Sequence, residues 1–283
     1  MKTWEKIVLG LGLLLTFLGV IILIMSYQAG ALDDLKAKAQ ETVKTQTKTL
    51  DNFDTLTIAS DEHITIKTAN ISKPTISYQN TKYQKTSYTL SDKTLTLRNQ
   101  VSPASYTINP GLLELARNLS EISSGITLTL PTSMRLKTIQ INSASLLLNQ
   151  VNLDNLTLKT DSYISISDSQ ISHSSIDTNY YITIEQSSIT DSTITSHYDN
   201  IELDNIIASQ STFTAIGADM EAHQATFKGA NSITADTVDI SLDDYNLTLI
   251  TKDNIDNLET SDKLTPSADN QLTITNAYDI SIN

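Results

Sequence analysis

Apolar residues recur every 18 positions through the middle of the chain. Leu146 and Leu148, Ile164 and Ile166, and Ile182 and Ile184 form one series, and Ile201 with Leu203 follows after 19. Leu158, Ile176 and Ile194 form a second series at 18, continued after 19 by Phe213. Leu153, Ile171, Ile189 and Ile207 form a third, again 18 apart. Alternation within single strands does not produce three columns that repeat together. A period near 20 residues marks stacked coils. One coil cannot bury its apolar side chains alone, but stacking turns each column into a continuous ladder. The expected fold is all-β, a parallel β-solenoid (β-helix) with in-register strands ~4.8 Å apart. Roughly seven or eight coils from Leu136 onward give a stack of about 35–40 Å. Polar turns of Asp, Ser, Asn and Thr separate the strands, and the Ile bias suits a pleated surface.

The flanks of the repeat differ. Leu56-Thr57-Ile58 and Ile64-Thr65-Ile66 alternate around a polar turn, and further short strands follow at Thr75–Tyr78, Ser87–Leu90 and Leu95–Leu97. Ser91-Asp92-Lys93 reads as a hairpin turn. These segments predict antiparallel N-terminal strands. Leu112, Leu115, Leu119 and Ile122 are three or four apart after Pro110, which predicts a short helical insert at 111–123. Past Phe213 the repeat loosens: Met220 and Ala222 stand where an Ile pair is expected. The polar stretch Thr251–Gln271, with Pro266, reads as a loop near an open end.

Ile7 to Met25 carries no charge, and as a helix it spans roughly 28 Å, close to the ~30 Å hydrocarbon core. Trp4 and Tyr27 bracket it as interfacial aromatics, and Lys2 and Lys6 precede it. The positive-inside rule predicts a single-pass membrane protein with a cytoplasmic N-terminus and an extracytoplasmic C-terminal domain. Ala29-Gly30-Ala31 resembles a signal-peptidase site, so a cleaved signal is the alternative, but the run exceeds the usual h-region of about 7–15 residues. Residues 1–29 are thus read as a transmembrane anchor, 30–50 as a polar, partly helical tether, and 51–283 as the solenoid domain.

The net charge of −13 argues against nucleic acid as a partner. There is no cysteine, so disulfides and thiolate ligands are excluded. His63, His173, His197 and His223 do not fall on multiples of 18 and predict no metal ladder. Asp168, Asp177, Asp191 and Asp199 lie in turns, where capping and solubility account for them. Lys159 is nearly alone among the repeats, so the basic residues that a polysaccharide-active β-helix enzyme needs beside its acids are scarce. No P-loop, G-x-G-x-x-G, G-x-S-x-G or H-E-x-x-H motif occurs, and no cofactor is expected. Tyr163, Tyr180, Tyr181 and Tyr198 fall at similar corners of successive coils. They form the candidate interaction surface, with packing between coils as the other reading.

The segments FDTLTIASDEHITIK, SYTLSDKTLTLRN and ITLTLPTSMRLKTIQINSAS, followed by the repeats, resemble the DUF4097 family of bacterial adhesin-like proteins. The resemblance runs from Phe53 to the end of the chain. It implies surface display and adhesion or envelope-stress roles, and it supplies no catalytic residues. The family's Ser-Gly corners are replaced here by Ala144-Ser145, Ser162-Tyr163, Tyr180-Tyr181 and Tyr198-Asp199, and only Gly217-Ala218-Asp219 keeps the glycine. The expected function is a non-catalytic cell-envelope protein that contacts envelope proteins or wall polymers. An accessory of envelope-stress signalling is the alternative, and a polysaccharide-active enzyme is a third.

Overall fold

The computed structural model describes residues 44–60, 62–80, 84–101, 125–142, 145–252, 255–267 and 269–283, with Thr16, Gly19 and Val20. Thr45–Gln79, Lys85–Gln100 and Ser124–Asn283 form one compact unit, and Met1–Lys44, Asn80–Gln84 and Val101–Ser123 form another. The apolar run at 7–25 lies outside the described residues apart from those three, as does the helical insert at 111–123. Among the described residues no helix is long and apolar enough to cross a membrane.

Each repeat bends round three faces, here called B, A and C. Thr157–Thr160, Tyr163–Ser167 and Gln170–Ser172 make one coil, and Ser175–Thr178, Ile182–Glu185 and Ser188–Thr190 make the next. Neighbouring coils pair in parallel, residue on residue, as the 18-residue columns require. On face A, Leu146, Ile164, Ile182, Ile201, Met220 and Val238 are consecutive partners. On face B, Leu56, Ile139, Leu158, Ile176, Ile194, Phe213 and Ile233 are. These side chains are buried and form the core. Faces A and C join into one 16-stranded sheet through the long strand Asp219–Lys228, and face B is an 11-stranded sheet. From Thr138–Asn142 onward face B holds eight strands among the described residues, in line with the expected seven or eight coils.

One column departs from its sequence assignment. The third series was continued to Ile207, but Ile189 pairs with Ala208, and Ile207 pairs with Ser188 and is exposed. The corner after Ser196 is one residue longer than the corner after Thr178: Thr178 pairs with Ser196, yet Ile182 pairs with Ile201. The extra residue falls at the corner between faces B and A. A count of 18 carried past this residue lands one position early, on the opposite face of the strand. Ala208 therefore takes the core position.

Two of the three corners are built on a single residue with left-handed backbone. Between faces A and C these are Gln150, Asp168, Gln186, Asn205 and Gln224, and between C and B they are Asn155, His173, Asp191, Gln210 and Gly229. Asn and Asp bear this conformation better than other side chains, because their short polar groups bond locally.

The ends are interleaved, and this corrects the expected antiparallel start. Thr55–Ala59 on face B and His63–Ala69 on face A form a parallel coil. It lies between the coil of Thr138–Asn142 and Ser145–Asn149 and the coil of Thr94–Val101 and Gly125–Pro131. Leu56 and Ile64 meet core columns on both sides, so burial favours parallel stacking over a local hairpin. Antiparallel pairing is confined to the edge. Thr75–Asn80 runs antiparallel to Gly125–Pro131. Gln84–Ser91 and Thr94–Val101 are joined by Asp92 and Lys93, both at positive φ, as a tight hairpin turn requires. Lys44–Thr49, assigned to the tether from sequence, is instead the outermost strand of face A beside Thr75–Asn80. Gln46 meets Tyr78, and Leu50 donates its N–H to the Pro74 carbonyl.

The C-terminal end repeats the device. Gln271–Thr275 and Asp279–Ile282, last in sequence, lie inside the stack. Thr248–Thr251 and Asn257–Thr260 form the outermost coil. The stretch Thr251–Gln271 is therefore not wholly a loop. Its strand Asn257–Thr260 is exposed throughout, Leu258 included, and pairs on one side only, so it is an edge rather than a core strand.

Candidate functional site

Among the described residues the corner from face B to face A has no left-handed residue until Gly217, and it varies in length. A polar groove of about 480 Å³ runs along it, from Thr57 and Gln140 to His197. Coil stacking assembles its floor. The outward column Gln140, Lys159, Asp177 comes from the ends of successive face-B strands. Asn142, the last residue of its strand, and Asp161, Asn179 and His197, the first past theirs, also line the groove. Asp177 is held from both sides, with His197 Nε2 at 2.9 Å and Lys159 Nζ at 3.6 Å. Asn179 Nδ2 donates to Asp161 Oδ1 at 2.5 Å. The groove thus presents amide, carboxylate, ammonium and imidazole groups in a row, open to solvent along its length.

The four tyrosines read as one row from sequence divide into two columns. Tyr163 and Tyr181 share a column on the outer surface of face A. Their rings stack at 5.7 Å and 12°. Tyr163 Oη bonds Thr183, and Tyr181 Oη donates to Glu202. Partial burial and this carboxylate hold the Tyr181 phenol well above its usual range. These two rings pack coil on coil. Tyr180 and Tyr198 instead stand at the B-to-A corner, each one residue beyond a groove residue, Asn179 and His197. Tyr198 is 80 % exposed, the most of any large apolar side chain among the described residues, and Tyr180 is 53 % exposed. The His197 and Tyr198 rings lie 6.4 Å apart.

Sequence reasoning therefore found the aromatic half of the corner and missed the polar half. Lys159, Asp177 and His197 are 18 and 20 residues apart, and only the coil register shows that they meet. The other histidines sit beside side chains of the same or adjacent coils: His63 with Ser145, His173 with Asp154, and His223 with Glu221. Among the described residues no three His, Asp or Glu side chains are grouped to hold a metal ion.

The family model described as Toastrack DUF4097 matches residues 53–277. Three solved structures resemble the chain distantly. A candidate cell adhesion protein from Clostridium sporogenes shares 10 % identity over 85 % of this chain and 98 % of its own, with a TM-score of 0.27. A candidate adhesin from Bacteroides fragilis shares 9 % identity over 85 % and 96 %, with a TM-score of 0.35. Another, from Parabacteroides merdae, shares 11 % over 86 % and 97 %, with a TM-score of 0.29. A comparison with curated proteins returns no match.

Proposed function

This chain belongs to the Toastrack DUF4097 family, and from that premise we propose that it is a non-catalytic envelope protein whose B-to-A corner binds a wall glycan. The apolar run at 7–25 and its flanking charges support a membrane anchor with the solenoid outside. One observation carries the ligand class: the exposed rings of Tyr180 and Tyr198 adjoin a groove of hydrogen-bonding side chains. Tyr offers a rigid ring for the apolar face of a sugar and a polar tip, while amides and carboxylates bond its hydroxyls. Asp161 and Asp177 already accept bonds from adjacent coils, which suits fixed recognition rather than proton transfer.

The test is retention of the purified chain on isolated wall polysaccharide. Tyr180→Ser with Tyr198→Ser is expected to weaken retention about tenfold or more, as loss of aromatic anchors does. Tyr163→Ser with Tyr181→Ser is expected to lower the melting temperature and leave retention unchanged. The reverse pattern would refute the assignment.

A further inference from the structure

Charge is distributed unevenly along the stack. From Lys44 to Asn142 the sequence carries eleven Lys and Arg against seven Asp and Glu, and from Ser143 to Asn283 four against twenty-one. The topology turns this sequence asymmetry into an axial one, because the described residues from Lys44 to Asn142 build the N-terminal end and carry eight Lys and Arg after Lys44 against four Asp and Glu. Lys48, Lys67, Lys85, Lys93, Arg98 and Arg135 are all exposed there. Lys73 and Lys137 add two more cations, each partnered by an aspartate, Asp51 and Asp54. Toward the other end the outward column of face A reads Glu202, Glu221, Asp239, Ser281, Glu259.

We infer that the basic N-terminal end docks on an anionic phospholipid surface and stands the solenoid end-on upon it. Two observations choose lipid as the occupant. The first is complementary charge. The second is where the chain enters: Lys44–Thr49 is the outermost strand of this same end, so residues 1–43, with the apolar run, join the stack at the basic cap. The inference therefore rests on the anchor reading above. Orientation follows from distances. The lipid surface potential decays over about 8 Å at physiological salt, while coils are ~4.8 Å apart. Docked end-on, only the first basic coils feel the field. Laid flat, the acidic coils would enter it and be repelled. Eighteen residues separate Met25 from Lys44. At about 3.3–3.6 Å each they allow the domain to stand well clear of the bilayer, so contact is set by charge rather than by a short leash.

The chain has no cysteine, so single cysteines can report position without background. The full chain would be placed in nanodiscs of phosphatidylcholine, alone or with phosphatidylglycerol. A dye at Thr89→Cys, on the basic end, is expected to approach a headgroup acceptor only when phosphatidylglycerol is present, and to withdraw in high salt. A dye at Glu259→Cys is expected to stay distant throughout. Reversing Lys85, Lys93 and Arg98 to Glu is expected to abolish the lipid dependence, with circular dichroism and melting temperature confirming the fold. Approach at Thr89 that ignores lipid charge overturns the inference, as does equal approach at Glu259. If alkaline extraction releases the chain from the discs, the anchor reading fails separately. Docking is then judged by co-sedimentation of the released chain with phosphatidylglycerol vesicles, and loss of binding at least about tenfold in the triple variant supports it. Association with an anionic wall polymer and none with lipid overturns it.

Discussion

Ser174, Ser187, Ser192 and Ser211 are buried at the corners, and each hydroxyl bonds at least twice. It donates to a carbonyl two residues back in its own coil, as Ser192 does to Thr190 at 2.7 Å. It also accepts a backbone N–H from the coil before, as Ser192 does from Ser174 at 3.1 Å. Ser174 serves Leu156 in the same way, and Ser211 serves Ser192. The corner turns the N–H along the stack, and serine is short enough to meet it. Ser192→Ala is expected to cost about 1–3 kcal/mol in urea unfolding, since it strands a buried N–H. Gln186 illustrates the neighbouring constraint, with φ of 47°. Gln186→Gly is expected to stabilise by up to about 1 kcal/mol, and Gln186→Val to destabilise by about 1–2 kcal/mol, in the same measurement. Asp154 gives the corner a pH dependence. Hydrogen bonds from His173 and then Ser172 hold its carboxyl below the usual carboxylate range. A depressed folded pKa stabilises the fold above the ordinary value and ceases to do so as pH falls through the lowered one. Asp154→Asn is expected to lower the melting temperature at neutral pH, and the gap should close in strong acid. A gap unchanged by acid would contradict the assignment.

At the scale of strands, the repeat was legible because the core columns of faces A and B are long and apolar at every position, with Ile the commonest member. Phe213 sits among them between Ile194 and Ile233, fully buried. Phe213→Ala is expected to cost about 3–5 kcal/mol, with the loss read from urea or thermal melts. What stayed hidden was non-local or depended on a single residue. Leu56 pairs with Ile139, 83 positions away, and no period in the first strands announces that partner. The slip that exposed Ile207 and buried Ala208 turned on one added residue at a polar corner. The tyrosines looked alike because Tyr163 with Tyr181, and Tyr180 with Tyr198, share one spacing. Their fates differ by position: Tyr163 opens a strand and points outward to pack on the next ring, whereas Tyr180 falls between strands and projects from the turn. The groove was legible least of all, since its partners come from successive coils and carry no motif.

For the whole molecule, the interleaved ends decide how tension travels. A pull applied at Lys44 first meets an edge strand, which can peel away one bond at a time. The next part of the chain, Thr55–Ala59, is gripped by coils on both sides. Extracting it means breaking two ladders together, and the following strand, His63–Ala69, is clasped in the same way. Traction along the chain is therefore halted at the second layer, and the repeats behind it bear load as a block rather than unravelling coil by coil.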